Sequence, residues 1–360
     1  MVGSCLHFWA CSDKVREQCY WSPAKTGAMK DGPPNQSCGH GTVMVRCTDY
    51  LADANQTGMI HFHFRPFSKL PEVQTLIFVT FLIMYLVSLS GNISISLIIW
   101  GDRSLHTPMY FFPANLAALE ICYSSTIAPL TLASTTEKTL ISLPGCGAQM
   151  FFFIFLGSAD CILLAVMAYD RFVAICHPLR YAFMMSRRLC ARLVLGSLVL
   201  GFILAMLLTV LIFRLPFCSS KEVSVFYCDV LPVMRLACAD TRVHEATLFV
   251  VGVTVFTIPF LLITLSYVFI GAAILKMRSA AGRHKAFSTC SSHLTMVLLQ
   301  YGGGSFIYLC PSSSYSPERG QVVSVVYTFV TPMLNPLIYS IRNRELKGAL
   351  KRAMMRFPLL

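Results

Sequence analysis

The sequence predicts an all-α membrane protein: a seven-transmembrane helix bundle with an extracellular amino terminus and a short cytoplasmic amphipathic helix. Three observations lead there. Of the 360 residues, 55% are hydrophobic and only 13% charged, the latter about half the share of an ordinary globular chain. With a mean hydropathy of +0.63, the chain cannot cover itself with polar groups, and disorder, a coiled coil and a collagen-like rod are excluded. Second, seven runs each supply the roughly 20 apolar residues needed to cross about 30 Å of hydrocarbon. Third, the basic residues fall on alternate connections.

The runs lie near residues 75–100, 109–132, 147–169, 193–213, 247–275, 286–309 and 321–340. In lipid each must satisfy its own backbone, so each is expected to be a helix. An odd number of spans puts the two termini on opposite sides. The first, third and fifth connections and the tail hold sixteen Lys and Arg, among them Arg103, Arg180, Arg187, Arg188, Arg283, Lys285 and Arg352, against six on the other side. The richer side is cytoplasmic. The net charge of +12 is therefore a signature of topology and membrane lipid rather than of nucleic acid.

Residues 1–70 form an outer amino-terminal segment, 71–341 the helical domain and 342–360 the cytoplasmic tail. The first segment carries Cys5, Cys11, Cys19, Cys38 and Cys47 and no charged leader followed by an apolar core, so the first span is expected to act as the insertion signal. Asn55-Gln56-Thr57 and Asn35-Gln36-Ser37 are glycosylation acceptors, and Asn55, nearer the bundle, is the one expected to be used.

Two acids sit where lipid should be. Glu120 in the second span and Asp160 in the third are 12 and 11 residues from the cytoplasmic markers Pro108 and Arg171. At about 1.5 Å per residue both lie roughly 16–18 Å deep. Two buried carboxylates at one depth are expected to share a sodium ion or a proton, with Asn92 and Asn335 completing the cluster. The plainer alternative is a pair of neutral, hydrogen-bonded acids. At the cytoplasmic end of the third span stands Asp170-Arg171. The last span contains Pro332-Met333-Leu334-Asn335-Pro336-Leu337-Ile338-Tyr339, where proline removes a backbone bond and permits a bend. A buried-face arginine, an acid pair and a hinge together predict a two-state helix switch.

Cys146, Cys218, Cys228 and Cys238 all fall on the outer side, where disulfides persist, and four cysteines allow three pairings. Cys290 and His293 lack a matching second pair, so zinc is not expected there. Gly302-Gly303-Gly304 is expected to permit close packing or make ligand space. No nucleotide-binding loop, nucleophile elbow or metalloprotease helix is present.

These motifs resemble those of the olfactory receptor family, within the rhodopsin-like G-protein-coupled receptors. The resemblance runs from about Asn55 to Leu350. It rests on Leu105-His106-Thr107-Pro108-Met109-Tyr110, Met167-Ala168-Tyr169-Asp170-Arg171-Phe172, Ser266-Tyr267, Lys285-Ala286-Phe287-Ser288-Thr289-Cys290 and Pro332 through Asn343. It implies odorant binding among the outer halves of the helices and coupling to a stimulatory, olfactory-type G protein that raises cyclic AMP. It pairs Cys146 with Cys228 and Cys218 with Cys238, and places the sugar on Asn55. It gives Arg171 the role of cytoplasmic switch, with Tyr267 and Tyr339 moving against it. It lines the pocket with Phe153, Ile154, Gly157, Ser158, Val251, Val255, Tyr301, Ser305, Tyr308 and Thr328. That lining is mostly apolar and has no acid for a cationic transmitter.

Several positions depart from the family. Leu198 replaces a usual tryptophan, Phe172 a commoner tyrosine, and Val225 a frequent histidine, while Pro113 replaces a leucine and is expected to kink the second span. Residues 1–43 have no family counterpart and are expected to precede a natural start at Met44. The alternatives are a family receptor for a metabolite outside the olfactory epithelium, and a seven-helix transporter or channel. The latter would show internal repeats and a polar pore, and neither is apparent.

Overall fold

The computed structural model describes residues 61–64, 70–136, 139–217, 222–223, 226–309, 317–342, 346, 348–349 and 352. The sequence expectations for residues 1–43, Asn35, Met44, Asn55, Cys218 and Val225 lie outside these described residues.

Seven long helices follow in chain order: α1 Pro71–Gly101, α2 Pro108–Thr136, α3 Leu143–Cys176, α4 Arg187–Phe213, α5 Arg242–Lys276, α6 Ala280–Tyr308 and α7 at residues 317–342. Serine side chains begin three of them. Ser142 accepts from Gly145 N, Ser186 from Leu189 N and Ser279 from Gly282 N, each satisfying an amide that the first turn leaves free. Six helices, α1–α5 and α7, are long and apolar enough to cross a membrane on their own composition. α6 interrupts its apolar residues with Ser291, Ser292, His293 and Gln300.

α3 is the central rod. In its most apolar stretch 61% is buried inside the protein, against 17% for α1, which presents Leu76, Ile83, Leu86 and Leu97 outward. Outward leucine and isoleucine are the expected surface of a protein whose solvent is lipid. α2 runs as one helix through both Pro113 and Pro129, so Pro113 does not interrupt the second span. Leu198 is half-buried and packs against the core. Two π turns, Val253–Thr257 in α5 and Val326–Val330 in α7, depart from the regular helix; such turns cluster at functional sites.

The outer end adds a feature that an all-α reading omits. β1 (His61–Phe64) pairs antiparallel with β2 (Leu140–Ser142) and parallel with β3 (Glu222–Val223). His-Phe-His-Phe alternates with period two, and Phe62 and Phe64 are fully buried on one face. At the cytoplasmic end the described tail residues Leu346, Gly348, Ala349 and Arg352 are helical, with Leu346 and Ala349 buried. Arg352 Nη2 donates to Asp102 Oδ2 at 2.6 Å, tying the tail to the α1–α2 connection. That bond and two from Ser104 hold the Asp102 carboxyl well below the usual carboxylate range.

Candidate ligand site and cytoplasmic switch

A cavity of about 60 Å³ lies among α3, α5, α6 and α7, with Tyr123 of α2 and Leu208 of α4 completing its wall. One water needs roughly 10–15 Å³ on that measure, so the space suits a small molecule. Seven of the ten residues expected there line it: Phe153, Ile154, Gly157 and Ser158 of α3, Val251 and Val255 of α5, and Tyr308 of α6. Three are turned to other tasks. Tyr301 donates to Cys161 O at 2.6 Å, and Thr328 to Ser324 O at 2.6 Å. Ser305 is half-buried away from the lining. Sequence reasoning missed Gln300 and Gly304 of α6, Phe256 in the α5 π turn and Tyr327 in the α7 π turn, all of which line the space.

Among the described residues that line it, none is Asp, Glu, Lys, Arg or His. The glycine run makes part of the room. Phe256 lies over Gly304, where a Cβ would run into its ring, and stacks on Tyr308 at 5.9 Å and 8°.

The roof comes from the connection between α4 and α5. Cys228 is bonded to Cys146 at the start of α3, and both are fully buried. Gln149, one turn further along α3, accepts from Cys228 N at 2.9 Å and donates to Thr126 O at 3.1 Å. Cys238 is also disulfide-bonded. Val230, a roof residue, reaches the cavity.

Next to the bridge, Asp229 is 1% exposed. Its Oδ1 accepts from Tyr308 at 2.7 Å and from Val230 N at 2.7 Å, and its Oδ2 from Tyr227 at 3.4 Å. The Tyr227 hydroxyl also bonds that of Tyr327. An acid therefore stands close to the ligand space, brought by a loop that helix patterns do not locate. Burial raises the Asp229 carboxyl from 3.8 to about 6, against the lowering effect of Tyr308, Val230 and Tyr227. The folded chain thus keeps this proton at pH values where the unfolded chain has released it. Stability should rise as pH falls from about 6 towards about 4, and that contribution is lost as pH rises through about 6. A thermal scan of purified receptor between pH 7 and 5 should show this gain, and Asp229→Asn should remove it. An identical pH profile in the variant would contradict the assignment.

Deeper in the bundle, Glu120 and Asp160 are 2% and 6% exposed and close enough for their charges to interact. Asn335 Nδ2 donates to Glu120 Oε1. Asp160 Oδ1 and Asn335 Oδ1 are buried with no hydrogen-bond partner among the described residues. Asn92 does not join them. It bonds Ser88 O at 2.9 Å and Pro332 O at 3.4 Å, binding α1 to α7 instead. The same two helices touch at Gly91, where a Cβ would come within 2.7 Å of Pro336.

At the cytoplasmic end Arg171 is 7% exposed, and its Nε and Nη1 are buried without a partner among the described residues. Asp170 Oδ1 accepts from Tyr181 at 2.8 Å. Tyr267 does not bond Arg171. His293 Nε2 faces Leu164 O at 3.1 Å, so that nitrogen carries the proton, and Nδ1 accepts from Tyr267 at 2.9 Å. One histidine thus joins α6 to both α3 and α5. The side chain of Tyr339 is outside the described residues.

Seven helices with a roofed cavity of uncharged lining at one end and an arginine-centred polar cluster at the other have the architecture that suits a membrane receptor. A family model described as "Olfactory receptor" matches residues 81–356. Human olfactory receptor 10V1 is 63% identical over 305 residues, 84% of this chain and 99% of that protein. Human olfactory receptor 10Q1 is 55% identical over 304 residues, 84% and 95% of the two chains. Mouse olfactory receptor 5G9 is 47% identical over 305 residues, 84% and 97%. The chain belongs to the olfactory receptor family. It is a multi-pass membrane receptor activated by odorants, and not an enzyme.

Proposed function

We propose that the receptor binds small, mostly apolar odorants within the cavity and activates a stimulatory, olfactory-type G protein, raising cyclic AMP. The neutral, largely apolar cavity beneath the disulfide-tethered roof carries this reading. A ligand held there touches α3, α5, α6 and α7 at once, and each continues to the cytoplasmic cluster. A ligand that presses Phe256 and Tyr308 outward shifts α5 and α6 against α3. The bonds across that seam, Tyr267 to His293 and His293 to Leu164 O, are the ones such a shift exchanges. Arg171, whose Nε and Nη1 have no partner among the described residues, is then presented to the G protein, with Asp170, Asn335, Pro336 and Tyr339 setting the two positions. Cyclic AMP measured in cells expressing the full chain against an odorant panel should rise for some members. A surface-expressed chain with neither basal nor odorant-driven cyclic AMP would overturn the coupling.

The acid pair belongs to the same switch. Glu120, Asp160 and Asn335 together offer buried carboxyl and amide oxygens, two of them uncommitted, which suits a sodium ion or a shared proton. Glu120→Gln should alter basal cyclic AMP and its dependence on sodium. If both stay at the parent's values with normal surface expression, the ion site is wrong. On the family resemblance, Asn55 carries the sugar and Cys218 is the partner of Cys238.

A further inference from the structure

The polar groups of the cavity fall into two sets. Near the roof, the hydroxyls of Tyr308 and Tyr327 are engaged, one on Asp229 and the other on Tyr227. Eight residues lower on α6, about 12 Å at 1.5 Å per residue, stands Gln300, facing Ser158 and Cys161 of α3 across the deep end.

Ser158 is 5% exposed and Gln300 8%. Among the described residues none bonds the Ser158 hydroxyl. The Gln300 amide, with two donors and two lone pairs, shares the lining with the Cys161 thiol, and a thiol is a weak partner. Between the two polar sets the wall is apolar: Phe153, Val251, Val255 and Phe256. A nearly buried amide and hydroxyl at the blind end of an apolar space are costly unless something bonds them.

We propose that Ser158 and Gln300 form the polar end of the odorant site. The ligand class is then uncharged molecules with a hydroxyl or carbonyl on an apolar body, bound with that group downward. Ser158 donates to a carbonyl or hydroxyl oxygen, and the Gln300 amide donates to it or accepts from a hydroxyl. A hydrocarbon of the same shape leaves both groups unpaired, the situation in which a hydrogen-bonding site discriminates most strongly. A carboxylate or ammonium meets no counter-charge in the lining and loses its hydration. This assignment rests on the receptor reading above, so its test measures binding without the G protein.

The full chain, purified into lipid nanodiscs, is unfolded thermally with graded octanol, octanal, cyclohexanol, cyclohexanone, benzyl alcohol or benzaldehyde. Each is set against its hydrocarbon, carboxylate and ammonium counterparts. A molecule that binds the folded state raises the unfolding temperature. At least one alcohol or carbonyl compound should do so at a concentration about ten-fold or more below its hydrocarbon and charged counterparts. Ser158→Ala and the volume-preserving Gln300→Met should each collapse that ratio towards one, which a merely structural role would not do. Equal potency of a hydrocarbon or an ion, an unchanged ratio in both variants, or no stabilisation by any of the six uncharged polar probes overturns the assignment. Stabilisation without any cyclic AMP response would instead overturn the coupling and leave the site standing. Odorant-driven cyclic AMP with none of these binding effects would do the reverse.

Discussion

Replacing Cys146 or Cys228 with serine is expected to remove nearly all folded receptor from the cell surface, and the two single replacements should be equally severe. The bond joins the start of α3 to the roof across 82 residues of sequence, and losing a native disulfide typically costs about 2–5 kcal/mol. Native stability as a whole is often only about 5–15 kcal/mol. The roof has much to lose. Phe226, Tyr227, Val230 and Val233 are each 1% exposed or less, and they are held down by this bond and by Gln149. Serine would also leave a hydroxyl at a fully buried position. Surface labelling should show the double variant no worse than either single one. Wild-type levels from one single variant would break the argument.

Arg171→Ala is expected to abolish odorant-driven cyclic AMP while leaving the amount at the surface close to the parent's. The two halves of that expectation have one cause. Nε and Nη1 make no bond among the described residues, and Asp170 has its own partner in Tyr181. Removing the guanidinium therefore costs no hydrogen bond at those two nitrogens, but takes away the charged fork at the cytoplasmic end. Arg171→Lys should not restore the response, because an ammonium is a point charge and not a planar fork. The measurement is cyclic AMP normalised to surface label. A normal response from Arg171→Ala would exclude this residue as the switch.

The helices are legible as apolar runs in the chain, whereas the cavity positions come from the family resemblance. On α3 the stripe 153, 154, 157, 158 is a straight helical face, and all four positions line the cavity. On α6 the expected positions 301 and 305 lie one residue past the true stripe of Gln300, Gly304 and Tyr308, spaced by fours. Those positions come from the family resemblance, which carries motif positions over and does not place which side chain faces the space in this chain. On α7 the neighbour of the expected Thr328, Tyr327, lines the cavity inside a π turn, a departure from the regular helix that the motifs do not reveal. Asp229 was illegible for another reason: a disulfide and a long loop, not a helix, bring it to the site. The two acids of the pair interact with each other, but Asn92 bonds elsewhere because Pro332 O lies across from it. His293 resembled half of a metal site and is instead a hydrogen-bonded link between three helices.

The composition of α6 has a consequence for how the molecule is made. Among the described residues six helices are long and apolar enough to cross a membrane on their own composition, and α6 adds polar groups to its span. His293 finds its partners in Leu164 of α3 and Tyr267 of α5, and Tyr301 its acceptor in Cys161 of α3. Both partner helices precede α6 in the chain, so the groups that satisfy its polar side chains are made before it. A substitution at their interface with α6 can empty the cell surface without touching any group that meets odorant or G protein.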